Sequence, residues 1–190
     1  MEEKKTVVIL DHPSFDRSNV HRRFVEEMRK YPDEILIHNL QSVYPTGKID
    51  AAKEHSIIDN NGSLVFEFPV YWFFCPPKMK EWFDKVLTSD WAFKNGHHLR
   101  GRKVAIAATC GSEEEAYTPE GRHHRSLEEY LNPMLRAFEM CQAEYVGMFA
   151  VYGINNAEIM DANAIGQRAR DYAEFLQKLK VYKSLKTKGL

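Results

Sequence analysis

Apolar residues along the chain fall into two alternating rhythms. Thr6-Val-Val-Ile-Leu10 is continuous, β-branched and closed by the polar Asp11-His-Pro-Ser14, the pattern of a strand buried on both faces. Runs of the same kind recur at Glu34–His38, Ser63–Phe68, Lys103–Thr109 and Tyr145–Val151. Between them the period lengthens to that of a helix. Val20, Phe24, Val25 and Met28 predict one over Asn19–Tyr31, with Ser18 or Asn19 as N-cap and Pro32 as the stop. A second is predicted near Asp50–Ile58, with Gly62 marking the turn that follows. A third carries Met79, Trp82, Phe83, Val86 and Leu87 after Pro76-Pro77, prolines that a first helical turn tolerates. Leu127–Met140 and Ala157–Leu179 complete the set, and Pro133 is expected to kink the former or restart it. Strands alternating with helices predict a three-layer α/β fold: a parallel sheet, covered on both faces and joined by right-handed crossovers.

The 190 residues suit a single domain over 1–190, and neither an internal repeat nor a long linker divides them. With 26 basic against 27 acidic residues the net charge is -1, so no global field draws nucleic acid or an anionic membrane, and neither is expected as a partner. Cys75, Cys110 and Cys141 are odd in number and far apart, which predicts reduced thiols rather than a disulfide framework or a metal site. The apolar run Val7–Leu10 is too short for a signal-peptide core, and no stretch approaches the roughly 20 apolar residues of a membrane span. A cytoplasmic protein is expected. The lysines spaced through Lys178–Lys188 read as a solvated helix end favoured by the helix dipole.

In an open parallel sheet ligands bind beyond the carboxyl ends of the strands, so the loops after the first, third and fourth strands are where chemistry is expected. The first, Asp11-His-Pro-Ser-Phe-Asp-Arg-Ser-Asn-Val20, leads short polar side chains into a helix N-terminus, where backbone N–H groups with His12, Ser18 and Asn19 can hold a phosphate. Neither Gly-x-Gly-x-x-Gly nor a Walker loop is present. The second, Phe68-Pro-Val-Tyr-Trp-Phe-Phe-Cys-Pro-Pro77, sets four aromatics in a row where a loop is normally polar, which implies a flat ring system or a protein partner to cover them. The third, Thr109-Cys-Gly-Ser112, continues through Glu113-Glu-Glu-Ala, Tyr117 and Gly121-Arg-His-His124. Here Gly111 permits close backbone approach, and Tyr117 and His123 can donate to developing negative charge. The acidic Glu113–Glu115 is read as solvated loop, and His97-His98 as a surface turn.

Together these loops resemble the flavodoxin-like NAD(P)H:quinone oxidoreductases, a family that includes DT-diaphorase, the modulator of drug activity and the ancillary subunits of glutathione-gated potassium efflux systems. The resemblance covers residues 6–180. It is most specific in Phe68–Val86 and is supported by Asp11-His-Pro, Trp91-Ala-Phe93, Leu99-Arg-Gly-Arg-Lys103 and Leu135-Arg-Ala-Phe-Glu-Met-Cys141. It implies five parallel strands in the order 2-1-3-4-5. It places His12, Ser18, Asn19 and Val20 around a flavin phosphate and ribityl chain, Pro69, Val70, Tyr71, Trp72 and Phe73 beside the isoalloxazine, and Thr109, Cys110 and Gly111 at its polar edge. Tyr117 and His123 match the pair that stabilises charge on the reduced ring. His21 stands where the family often has Asn, Ala108 replaces a Thr, and Cys110 replaces a Gly, which puts a side chain near the flavin edge.

The resemblance implies two-electron transfer from NAD(P)H through the flavin to a quinone or similar planar acceptor, with ping-pong kinetics, in a homodimer of two-fold symmetry. It equally allows a flavin-binding ancillary subunit docked to a membrane potassium-efflux protein, for which the basic tail offers a surface. A one-electron flavodoxin-type carrier is less well matched, since such carriers are strongly acidic. The residues leave FMN and FAD both open, as well as NADH and NADPH, because no arginine cluster for a 2′-phosphate is identifiable.

Overall fold

The computed structural model describes residues 4–45 and 47–179. Five parallel strands form one sheet: β1 (Thr6–Leu10), β2 (Ile35–Asn39), β3 (Leu64–Pro69), β4 (Lys103–Thr109) and β5 (Glu144–Val151). Their order is β2-β1-β3-β4-β5, as the resemblance implied. The period-two geometry of a strand sorts its residues between two cores. Val7, Ile9, Leu64, Phe66, Val104 and Ile106 face one layer, while Val8, Leu10, Val65, Ala105 and Ala107 face the other. The second layer is built on α1 (Asn19–Met28) and α7 (Ala162–Leu179), whose Phe24 and Tyr172 rings lie 4.8 Å apart. The first is built on α2 (Leu40–Val43), α3 (Ala51–Asn60), α4 (Pro77–Val86), α5 (Leu127–Tyr130) and α6 (Asn132–Met140).

Several boundaries differ from the sequence expectation. Helix α1 ends at Met28 rather than Tyr31, because the chain already turns at Arg29 and Lys30 towards Pro32. β2 and β3 are shifted one residue along from the runs predicted for them, β5 begins one residue earlier, and α3 extends from Ala51 to Asn60. Pro133 restarts the helix instead of bending it: α5 stops at Tyr130, and α6 begins at Asn132 with the proline in its first turn, where its missing N–H costs no hydrogen bond. The last helix starts at Ala162, not Ala157. Asn156 Oδ1 accepts from the Glu158 N–H at 3.0 Å, holding 156–158 as a turn, and Asp161 Oδ1 accepts from the Ala164 N–H at 2.7 Å, capping the helix five residues later than expected. Of the lysine-rich tail only Lys178 falls within the described residues; Lys180 to Lys188 lie outside them.

Two buried carboxylates position the loops at the sheet's carboxyl edge. Helix α4 has no cap from its own N-terminal neighbours, and the Met79 N–H in its first turn is met instead by Asp11 Oδ2 at 2.7 Å, while Oδ1 accepts from Gln41 Nε2 at 2.7 Å. Burial holds the Asp11 carboxyl above its ordinary pKa against these donors. The tip of β1 is thereby tied to the helix that follows the aromatic loop. Glu54 accepts from His38 Nε2, Tyr44 Oη and Trp82 Nε1 at 2.8, 2.6 and 2.7 Å, clamping α3 to α4 and β2. Cys75, Cys110 and Cys141 are free and buried. No helix among the described residues is long and apolar enough to cross a membrane.

Candidate active site

Neighbouring strand ends place three loops side by side. Pro69 is in register with Thr109, and Thr109 with Val151. The pairing continues past the strands: the Val70 N–H donates to Thr109 O, the Cys110 N–H to Val151 O, and the Gly153 N–H to Ser112 O, each at 2.8 Å. The segments after β3, β4 and β5 are therefore one continuous crest.

The aromatic segment is a two-residue turn. Tyr71 and Phe74 exchange backbone hydrogen bonds of 2.8 and 3.0 Å, with Trp72 and Phe73 at φ of +49° and +63°. Two positive φ values describe the primed turn that hairpins prefer, normally filled by Asn-Gly because side chains at these angles are strained. The two rings leave the turn in different directions. Phe73 turns inward, stacked at 4.4 Å on Tyr130 and edge-on at 5.0 Å to His123, whereas Trp72 stands out with 94% of its surface exposed.

Opposite these rings is a polar wall from the β4 loop. A 3₁₀ turn at Glu114–Tyr117 carries Tyr117, and the chain returns so that the His123 N–H donates to Ala116 O at 2.9 Å. Tyr130 Oη fixes the same residue by donating to His123 O at 2.6 Å. His123 Nε2 is hydrogen-bonded to Ser112 Oγ at 3.0 Å, and Arg122 Nη2 donates to that same oxygen at 2.7 Å. The rings of Tyr117 and His123 are 4.7 Å apart. Burial, with Cys110 beside it, raises the Tyr117 pKa well above the ordinary phenol value, so the hydroxyl keeps its proton. Desolvation, then the neighbouring Arg122 and His124, push His123 below its ordinary value, so it is a neutral ring at pH 7. His124 turns away to Pro119 O at φ +58°, and His123 is the member of the pair that faces inward.

Between the aromatic turn and this wall lies a cleft of about 320 Å³, lined by Val70, Trp72, Phe73, Gly111, Ser112, Tyr117, Arg122, His123 and Asn155. Of the residues expected beside a ring, Val70, Trp72, Phe73 and Gly111 line it with Tyr117 and His123. Pro69 is buried at the end of β3, and Tyr71, 41% exposed, stands outside the lining. Thr109 turns its hydroxyl inward, and the Cys110 thiol is fully buried with its pKa pushed up to about 12 by desolvation, so its side chain does not narrow the cleft. The sequence reading missed Ser112, Arg122 and Asn155 as lining. Asn155 comes from the loop after β5, and its side-chain amide lies over the backbone of Gly111, with Nδ2 2.6 Å from where a Cβ would stand.

The phosphate-loop residues gather at the other end of the crest. Ser18 Oγ accepts from the His21 N–H at 3.1 Å, capping α1, and the N–H groups of Asn19 and Val20 are ones that no carbonyl within the helix can reach. His12 is buried beside them, its ring 4.8 Å from that of His21, and desolvation followed by repulsion from His21 lowers its pKa to about 4. His21 itself is buried: Nδ1 lies 2.8 Å from Glu67 Oε1, Nε2 lies 2.9 Å from Thr109 Oγ1, and Tyr172 Oη donates to Glu67 Oε2 at 3.0 Å. It buttresses the first turn of α1 from beneath. A helix start with free N–H groups, joined along one crest to a cleft with aromatic and hydrogen-bonding walls, has the chemistry that would suit a flavin mononucleotide.

Comparison with known proteins agrees with this geometry. A family model described as the flavodoxin-like fold matches residues 4–176. General stress protein 14 of Bacillus subtilis (strain 168) is 36% identical over 174 residues, 91% of this chain and 97% of that protein. The uncharacterized NAD(P)H oxidoreductase YrkL of the same organism is 31% identical over 174 residues, 88% and 97% of the two chains. The crystal structure of general stress protein 14 from Treponema denticola in complex with FMN superposes with a TM-score of 0.86 at 38% identity, covering 92% of this chain and 99% of that one. By fold, by crest geometry and by these relatives, the chain belongs to the flavodoxin-like family.

Proposed function

We propose that the protein is an FMN-dependent NAD(P)H oxidoreductase that passes two electrons to quinones or similar planar acceptors. The observation that carries this reading is the cleft itself, with aromatic side chains on one wall and hydrogen-bond donors fixed on the other. The choice of FMN is supported by the neighbour from T. denticola, whose structure contains it, and the use of NAD(P)H by the relative YrkL, named for that activity.

Bound there, the flavin would supply acceptance of hydride from a nicotinamide and its delivery to the acceptor. The chain does the rest. The start of α1, with His12, Ser18, Asn19 and Val20, holds the phosphate. Val70 and Phe73 support the ring, and Gly111 lets the backbone approach its edge. Tyr117 and neutral His123, both fixed before any ligand arrives, donate to the charge that develops on the carbonyl edge, which lowers the barrier without reorganisation. The open side below Trp72 admits one flat molecule at a time, so nicotinamide and acceptor would use it in turn, giving ping-pong kinetics. The exposed Tyr71, which stands outside the cleft lining, is proposed to be covered in a homodimer. A regulatory subunit of a potassium-efflux system would need the cofactor but not this donor wall, and the wall is what favours turnover.

The test is stopped-flow reduction by NADPH. Tyr117→Phe combined with His123→Ala should retain FMN while bleaching at least tenfold more slowly, in keeping with the roughly 10²-fold or larger contributions of positioned proton donors. Reduction at the wild-type rate would overturn the roles given to both residues, and intersecting double-reciprocal lines would reject the shared pocket.

A further inference from the structure

Arg122 lines the cleft, yet neither the sequence motifs nor the reading above gives it work. Its guanidinium rests on a neutral hydroxyl, Ser112 Oγ at 2.7 Å, and that same oxygen holds His123 Nε2 at 3.0 Å. Among the described residues no carboxylate is paired with it, and none of the residues lining the cleft is acidic. Nearby acids have other partners: Glu113 Oε1 accepts from Asn156 Nδ2 at 3.1 Å, and on the helix that follows Glu129 accepts from Ser126. A guanidinium does not lose its proton at any pH a folded protein tolerates. With Tyr117 and His123 both neutral, Arg122 is the one permanent charge on the cleft wall.

We propose that Arg122 is a catalytic residue of this site: its guanidinium stabilises the negative charge that reduction places on the bound cofactor, and so makes the protein prefer the reduced over the oxidised form. The proposal rests on the flavin reading above. Hydride transfer from a dihydronicotinamide would break its C4–H bond and carry that electron pair and hydrogen to the bound flavin, releasing oxidised nicotinamide; the cofactor would then hold two more electrons and one more proton, and the surplus negative charge is what Arg122 would meet. Neutral donors meet that charge with dipoles, whereas a guanidinium meets it with a full opposite charge, and hydrogen bonds from an ionised donor are roughly twice as strong as neutral ones. Because Ser112 holds the side chain in place beforehand, little ordering remains to be done when the charge appears.

The experiment is an anaerobic reductive titration of FMN-loaded wild type, R122Q and R122K against a reference dye, with the affinity of each apoprotein for oxidised FMN measured alongside. Arg122 is exposed, so both variants should fold, which circular dichroism checks. R122Q should bind oxidised FMN within about threefold of wild type and lose about tenfold of its preference for the reduced form, a two-electron potential about 30 mV lower. R122K, which keeps the charge, should retain most of that preference. An unchanged potential in R122Q overturns the proposal, as does an equal drop in R122K, since charge would then not be the agent. A change confined to the KM of carboxylated acceptors would make Arg122 a substrate-docking group and also overturns it. Wild-type protein that takes up no FMN would refute the flavin reading itself, a result distinct from any of these.

Discussion

Trp72 is the residue whose replacement separates stability from function most cleanly. It adopts φ +49° beside Phe73 at +63°, and a left-handed conformation costs an L-residue with a Cβ roughly 1–2 kcal/mol. An indole that is 94% exposed gains nothing from packing to offset that cost in the free protein. Asn tolerates the left-handed region and is favoured at this position of a primed turn. Trp72→Asn should therefore stabilise the apoprotein by about 0.5–1 kcal/mol, a rise in Tm of about 1–4 °C for a chain of this length. The same change removes one aromatic wall of the cleft. Covering part of a large side chain is worth about 1.5 kcal/mol, so affinity for FMN should fall about tenfold. Denaturant unfolding of the apoprotein gives the first quantity and flavin fluorescence titration the second. A destabilised variant would show that the indole is packed in the free protein, and the strain argument would fail. A stabilised variant with unaltered FMN affinity would remove Trp72 from the cofactor site.

The pH dependence of stability follows from His12. In the unfolded chain its imidazole takes a proton near 6.5, but in the folded protein only at about 4, so between those values the unfolded state binds more protons and stability falls as pH falls. Denaturation midpoints of the apoprotein should decline over that window, and His12→Asn should flatten the decline; an equally steep profile in the variant would contradict the burial of this ring. At Gly111, an added methyl group meets only the end of the exposed Asn155 side chain, so Gly111→Ala should change stability by less than about 0.5 kcal/mol while weakening FMN binding. A large loss of stability would show that the loops after β4 and β5 are more tightly packed than their contacts indicate.

The layered fold was legible because strands buried on both faces read as unbroken apolar runs, and because prolines and caps punctuate the helices. β1 and β4 occupy the residues predicted for them. Helix α2 was not legible: its four residues carry no periodicity, and it exists because Asn39, ending β2, accepts from the N–H groups of Gln41 and Ser42. The start of α7 was misplaced because Ala157-Glu-Ile-Met160 has ordinary helical composition, and only the side chains of Asn156 and Asp161 decide that it turns instead. In the site, Tyr117 and His123 could be found from their residue types and from the family resemblance. Ser112 and Arg122 could not, because their meeting depends on the loop folding back on itself to join residues ten apart in sequence. Asn155 belongs to a fourth crest loop with no unusual composition. Thr109 and Cys110 were named for the cofactor's edge, but at the end of a central strand their side chains alternate into the two cores, and what they present to the crest is backbone.

The central claim is that a flavin ring occupies the cleft between the aromatic turn and the Ser112–Tyr117–His123 wall. A crystal structure of the protein soaked with FMN tests it directly. The account predicts the phosphate at the first turn of α1 and the ring against Phe73, with its carbonyl edge within hydrogen-bond reach of Tyr117 and His123. FMN bound elsewhere, or a cleft that excludes it because Trp72 has folded in, would contradict the account.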